Sequence, residues 1–169
     1  DRIAKGESHQ GVISEVILPS LSNEESLYKS ISNNISKPII LILDSIQDPR
    51  NLGACLRSAN AAGVDYVVIN KDGSAPINAI VHKTSAGAIN SLKIFHVTNL
   101  SRTIQEIQKR GIWVIGLDSN SESTIYNVNL TDATAIVMGS EGKGIRRLIK
   151  ERCDQIVAIP MSGNIESLN

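Results

Sequence analysis

Ile39-Ile40-Leu41-Ile42-Leu43 is an unbroken aliphatic run that stops at Asp44. A strand with one face in water alternates apolar and polar side chains. A run without alternation must be covered on both faces, which is the signature of a parallel sheet packed between helices. The chain repeats the pattern: Tyr66-Val67-Val68-Ile69, Ile94-Phe95-His96-Val97, Ile112 to Leu117, Ala135 to Met138 and Ile156 to Ile159 read as further strands. Helical segments fall between them. Residues 51–62 have helical composition and stop at Gly63, a natural terminator. Residues 77–86 follow with Pro76 in their first turn, and 101–109 place Ile104 and Ile107 on one face before Gly111 ends the helix. A last helix is expected over 145–151. Strands alternating with helices predict an α/β fold with an open, mostly parallel sheet. Ligands bind such sheets outside the carboxyl ends of the strands, so the residues just after each strand are where chemistry is expected.

Residues 1–36 differ from the rest. They are rich in Ser and Asn and hold five acids against three bases. Val12 to Leu18 suits a short strand, and a helix is expected over 23–33, with Asn23 as cap and Leu27 and Ile31 on one face. The segment reads as a linker or edge element, and 37–169 as the main domain. The whole has the length of one domain.

Seventeen Lys and Arg stand against seventeen Asp and Glu, so neither a basic nucleic-acid arm nor an acidic tail is present. The balance is uneven along the chain. Residues 71–113 carry a net +4, and residues 141–152 a net +3 that includes Lys143, Arg146, Arg147, Lys150 and Arg152. That second stretch reads equally as a solvated helix face and as a patch for phosphates. Aromatics are only 3%, too few for a platform that stacks single-stranded bases. No apolar run approaches the ~18 residues of a membrane span, and no secretory signal is visible. The chain opens on Asp1 and reads as a processed or partial product. Cys55 and Cys153 are far apart and without metal-site or redox-pair spacing, so reduced thiols in a cytosolic protein, and no metal, are expected.

Three post-strand segments hold the unusual residues: Asp44 to Gly53, Met138 to Gly144, and Ile159 to Asn169. The glycine segment is not a P-loop, because Lys143 is followed by Gly144 rather than Ser or Thr. It is not a dinucleotide fingerprint either, since it follows the fifth strand and lacks the third glycine. Taken by itself it is a structural turn. Arg57 sits in a helix of small and apolar residues, where it reads equally as a snorkelling surface side chain and as a functional group.

Together the three segments resemble the three motifs of the SpoU family, the S-adenosylmethionine-dependent RNA ribose 2'-O-methyltransferases of the knotted α/β (SPOUT) class. Asn51-Leu52-Gly53-Ala54-Cys55-Leu56-Arg57-Ser58-Ala59 matches the first motif, and Gly139-Ser140-Glu141-Gly142-Lys143-Gly144 the second. Ile159-Pro160-Met161-Ser162-Gly163 with Ser167-Leu168-Asn169 matches the third. The wording of Asp44–Gly63 and the early His9-Gln10-Gly11 are most similar to the branch acting on guanosine in bacterial 23S rRNA.

The resemblance implies a Rossmann-like sheet with a C-terminal trefoil knot, a small RNA-binding domain ahead of this segment, and a further helix after it. It implies that Gly139, Ile159, Leu168, Met161, Leu117 and Gly116 hold the cofactor. It makes Arg57, Asn51, Glu141, Ser167 and Asn169 the catalytic set, and Arg50, Lys143, Arg146 and Arg147 candidates for RNA. A guanidinium is always protonated, so Arg57 suits phosphate binding and oxyanion stabilisation better than proton abstraction. The family forms homodimers with a shared active site, which implies that Arg57 approaches a cofactor held by the partner. A cytoplasmic enzyme acting on rRNA is the leading expectation. A tRNA ribose methyltransferase, a non-catalytic RNA-binding knot domain and a nucleotide-binding oxidoreductase are the alternatives, the last disfavoured by the failed fingerprint.

Overall fold

A computed structural model of the chain describes residues 21–33 and 36–163. The strand expected over 12–18 and the motif residues Ser167, Leu168 and Asn169 lie outside the described residues. The elements run α1 (Glu24–Ser32), β1 (Ile39–Asp44), α2 (Pro49–Ala61), β2 (Tyr66–Asn70), α3 (Ala79–Thr84), β3 (Lys93–Val97), α4 (Leu100–Gln108), β4 (Trp113–Leu117), β5 (Thr134–Gly139), α5 (Arg147–Lys150) and β6 (Gln155–Val157). The six strands form one sheet in the order β3-β2-β1-β5-β4-β6. Every pairing is parallel.

The unbroken apolar run behaves as its composition requires. Ile40 and Ile42 enter one core, with Val68, Phe95, Val114 and Val137 from neighbouring strands. Helix α1 covers that face through Leu27 and Ile31, and α4 through Leu100, Ile104 and Ile107. Leu41 and Leu43 enter the opposite core, beneath Leu52, Cys55, Leu56 and Ala59 of α2 and Val81 of α3. Each such aliphatic side chain contributes about 1.5–3 kcal/mol on burial, so the two cores dominate the stability of the sheet. The second face is covered unevenly. Beyond α2, Ile39 and Trp113 share the face of Thr134 by register and stay 39% and 49% exposed.

Several boundaries differ from the sequence expectation for local reasons. Helix α2 starts at Pro49 because the Asp48 carboxylate caps Arg50 N–H at 2.7 Å and proline is tolerated in the first turn. Helix α3 starts at Ala79, not in the turn after Pro76, because the Asn78 side chain accepts the N–H groups of Ile80 and Val81. Strand β6 ends at Val157, and Ala158 pairs instead with Thr124 of the loop after β4. The helix expected over 23–33 is α1, with Asn23 as its cap and Leu27 and Ile31 buried. That helix is a core element, and the Glu24 carboxylate accepts the N–H groups of Thr98 and Asn99 ahead of α4.

Gly53 lets α2 lie against α3. A Cβ there would stand 2.7 Å from Thr84 Cβ and 3.0 Å from the Val81 carbonyl oxygen. Helix propensity would favour alanine by about 1 kcal/mol, but overpacking of this kind costs about 1–3 kcal/mol. Gly53→Ala is therefore expected to lower stability, read as a reduced denaturation midpoint. An unchanged or raised midpoint would mean that α3 moves aside freely.

Candidate functional site

The chain order reverses between β1 and β5. From β1 the sheet grows outward through β2 and β3; on the other side lie β5, β4 and β6. The carboxyl ends at such a reversal form a crevice. Asp44 and Gly139, the last residues of β1 and β5, are register partners, so the loops that follow them emerge side by side.

The loop after β1 starts with a strained residue. Ser45 has φ +62, and its N–H donates to Asn70 Oδ1 at 2.8 Å. The same Asn70 oxygen accepts from Ser74 Oγ at 2.9 Å. A non-glycine residue in the left-handed region costs of order 1 kcal/mol and persists where its surroundings hold it. The turn then reaches Asp48, whose cap sets the start of α2 and puts Asn51 in its first turn.

The loop after β5 closes on itself. Ser140 N–H donates to the Gly144 carbonyl at 3.1 Å, and Gly144 N–H to the Ser140 carbonyl at 2.8 Å. Glu141 and Lys143 project from this small loop. A Cβ on Gly139 would lie 1.9 Å from the Gly144 carbonyl carbon, so only glycine fits there. The structural reading of the glycine segment is therefore sound as far as it goes, but the loop also makes a polar contact. Asn51 Nδ2 donates to Glu141 Oε2 at 2.8 Å, joining two motifs 90 residues apart.

Beneath both loops lies Asp44, which has no exposed surface. Its Oδ2 accepts Arg146 N–H at 2.9 Å, and its Oδ1 accepts Arg146 Nε at 2.7 Å and faces Nη2 at 2.7 Å. A second pair joins Lys150 Nζ to Asp118 Oδ2 at 2.6 Å, just beyond β4. The Lys150 hydrogen bond, aided by Asn120 N–H, holds the Asp118 carboxyl below its ordinary range.

The remaining expected site residues fall into two groups. Gly116, Leu117, Gly139 and Ile159 gather at the ends of the neighbouring strands β4, β5 and β6. Gly116 is buried, Leu117 and Gly139 are half-buried, and Ile159 and Met161 are exposed. Arg57 stands apart. It is exposed on α2 with no hydrogen-bond partner among the described residues, six residues from Asn51, or about 9 Å along the helix axis. Arg50 and Lys143 are exposed, and Arg147 is exposed with a loose 3.7 Å pairing to Glu151. Asp44, Asn70, Asp118 and Lys150 are not among the site residues the motifs point to. The sequence signals for them are the acid that ends a wholly apolar run, at Asp44, and the basic stretch that holds Lys150.

Both cysteines are free. Burial raises the Cys55 thiol pKa and pushes Cys153 up to about 12, so neither is a nucleophile near neutral pH. Among the described residues no cluster of three or more His, Cys, Asp or Glu is placed to hold a metal ion, and no helix is long and apolar enough to cross a membrane.

Residues 38–169 match the model of the SpoU rRNA methylase family. The chain is 48% identical over 170 residues to the 23S rRNA (guanosine-2'-O-)-methyltransferase RlmB of Haemophilus ducreyi, covering all of this chain and 69% of that protein. Among solved structures, the TrmH/SpoU tRNA modifying enzyme of A. aeolicus is 27% identical with a TM-score of 0.68, covering 86% of this chain and 76% of that one. The SpoU methyltransferase AviRb of Streptomyces viridochromogenes, in complex with the cofactor AdoMet, shares the fold at a TM-score of 0.73 and 24% identity. The alignment covers 81% of this chain and 56% of AviRb.

The Asp118–Lys150 pair gives a pH test. A carboxyl whose folded pKa lies below its unfolded value of about 3.9 stabilises the fold above that pH and stops doing so as pH falls through the folded value. Lys150→Met should melt below the parent at neutral pH, and the gap should close in acid below about pH 4. A gap that stays constant through acid would show that the pair contributes no stability.

Proposed function

The chain belongs to the SpoU rRNA methylase family, and from that premise we propose that it methylates a ribose 2'-hydroxyl of RNA, using S-adenosylmethionine, at a guanosine of 23S rRNA in the bacterial cytoplasm. The observation that carries this reading is the Asn51–Glu141 hydrogen bond at the sheet reversal, which brings the first and second motifs into one polar site.

The residues at the strand ends fit the cofactor. Leu117 and Ile159 keep part of their apolar surface open there, as a slot for a purine face requires, and Met161 is exposed shortly after them in the chain. Gly116, Gly139, Ile159 and Met161, with Leu117 and Leu168, would hold it. The cofactor supplies an electrophilic methyl carbon on a sulfonium. The protein's own task is to align a weakly nucleophilic hydroxyl and stabilise the charge that develops on it. Asn51 and Glu141 orient each other through their hydrogen bond and present a fixed carboxylate and amide edge to the ribose. Ser167 and Asn169 complete that set in the third motif. Arg57 clamps a phosphate beside the target ribose and lowers the cost of the oxyanion. Its exposure on α2 suits a site completed by a second protomer, and membership of the SpoU family implies a homodimer with a trefoil-knotted cofactor site. Arg50, Lys143 and Arg147 supply phosphate contacts. The non-catalytic reading is weaker, because a pure binder has no use for a paired Asn and Glu at this point. A tRNA substrate is the second reading, favoured by the likeness to the A. aeolicus tRNA modifying enzyme.

The test is methylation of total rRNA and tRNA by the full-length protein with labelled S-adenosylmethionine, followed by mapping of the modified nucleotide. Label at one 23S guanosine 2'-position is expected; label in tRNA alone would move the assignment, and none at all would end it. Arg57→Lys keeps the charge and loses the planar fork, so turnover should fall by about tenfold or more. Near-parental turnover would show that the fork is not used.

A further inference from the structure

We propose that Arg146 is a positioning residue for the loop that carries Glu141, acting through the buried Asp44, and not a contact for RNA. The proposal rests on the methyltransferase reading above. It reassigns one of the four basic side chains expected at the RNA surface.

A carboxylate without exposed surface must be neutralised and fully hydrogen-bonded. Arg146 neutralises Asp44 and supplies most of its hydrogen bonds, with the Ser45 hydroxyl donating one more to Oδ1 at 3.2 Å. Its backbone N–H and its Nε each donate, and its Nη2 completes a charge-assisted pair. Binding one residue by backbone and side chain together fixes its dihedrals as well as its place. That residue directly follows Ile145, which is 6% exposed in the first core, and stands two positions after the closed loop Ser140–Gly144. The loop is thus held at one end by β5 and at the other by Asp44.

Asp44 is also the end of the strand that leads, seven residues later, to Asn51. The Asp44–Arg146 pair therefore ties the Glu141 loop to the segment that carries its hydrogen-bond partner. Lys150 adds a second tie. It closes α5 and reaches Asp118, so this four-residue helix is fastened between the ends of β1 and β4, on either side of β5. The guanidinium of Arg146 is half-exposed, but Nε and Nη2 face the carboxylate and the pair carries no net charge. A phosphate gains little from such a pair. Arg147, with its side chain 92% exposed and only a 3.7 Å partner, is the better phosphate ligand.

The two roles separate experimentally in the full-length protein. Arg146→Gln should lower kcat by about tenfold or more through misplacement of the loop. KM for RNA and the salt dependence of RNA binding should stay at parental values. Arg147→Gln should raise KM and reduce the salt slope by about one. Arg146→Lys keeps a charge beside Asp44 and should recover part of the lost kcat. Asp44→Asn combined with Arg146→Gln should cost no more than the worse single change.

Amide hydrogen exchange without cofactor gives a readout independent of activity. Residues 139–146 should lose protection in Arg146→Gln while β2 and β3 keep theirs. If Arg146→Gln does not fold, Arg146→Lys carries both measurements, since it leaves the buried charge compensated. A reduced salt slope with kcat intact would make Arg146 an RNA contact and overturn the proposal. Unchanged exchange across residues 139–146 would overturn it as well. If the parent protein transfers no methyl group, the reading of function fails, and the exchange experiment still decides whether Arg146 holds the loop.

Discussion

Asp44 carries a charge where the fold leaves no water. It ends the most apolar strand of the sheet, at the bottom of the crevice, with its carboxylate fully enclosed. Removing one member of a buried pair usually costs several kcal/mol, because the other is left uncompensated. The chain must therefore bring Arg146 back across 102 residues whenever it folds. That requirement fixes where β5 gives way to α5 and how the intervening glycine loop closes. A hydrophobic pair of similar volume would often be as stable. What the ionic pair adds is geometry, since a carboxylate facing a fork accepts few alternative arrangements.

The two central strand ends serve different purposes. The end of β1 holds strain and charge: Ser45 in the left-handed region, pinned by Asn70, beside Asp44. The ends of β4, β5 and β6 hold apolar surface and backbone, with Leu117, Gly139 and Ile159 near one another in the sheet order. The first suits orientation of polar groups, the second the embrace of a flat, weakly polar ligand. Asn51 and Glu141 bridge the two. Rigidity there comes from the sheet beneath, so a loop built largely of small residues can still hold a carboxylate in one place.

The layer structure was legible because it rests on local pattern. The run at Ile39–Leu43 announced a strand covered on both faces, and Leu27 with Ile31 announced an amphipathic helix, even inside a segment polar enough to be read as a linker. Caps were half legible. Asn23 is legible as a cap, whereas Asp48 lies outside the stretch of helical composition at 51–62 and Asn78 lies inside the one at 77–86. The polar part of the site was legible only by resemblance. Nothing local in Gly139–Gly144 says that its acid meets an asparagine 90 residues earlier. Arg146 and Lys150 counted as surface charge for the same reason: their partners, Asp44 and Asp118, lie 102 and 32 residues away. Long-range pairing of this sort is decided by topology, and no window of sequence contains it.

The half-covered second face has an optical consequence. Trp113 is the chain's one tryptophan, and it lies half-exposed at the start of β4, one strand across from Ile39 with Thr134 of β5 between them. An indole in contact with water emits at longer wavelength than one enclosed by aliphatic side chains. Its fluorescence therefore reports selectively on that side of the sheet. Any surface that comes to lie over β4 and the outer end of β1 will shift the emission toward the blue, while events confined to the opposite core will leave it unmoved.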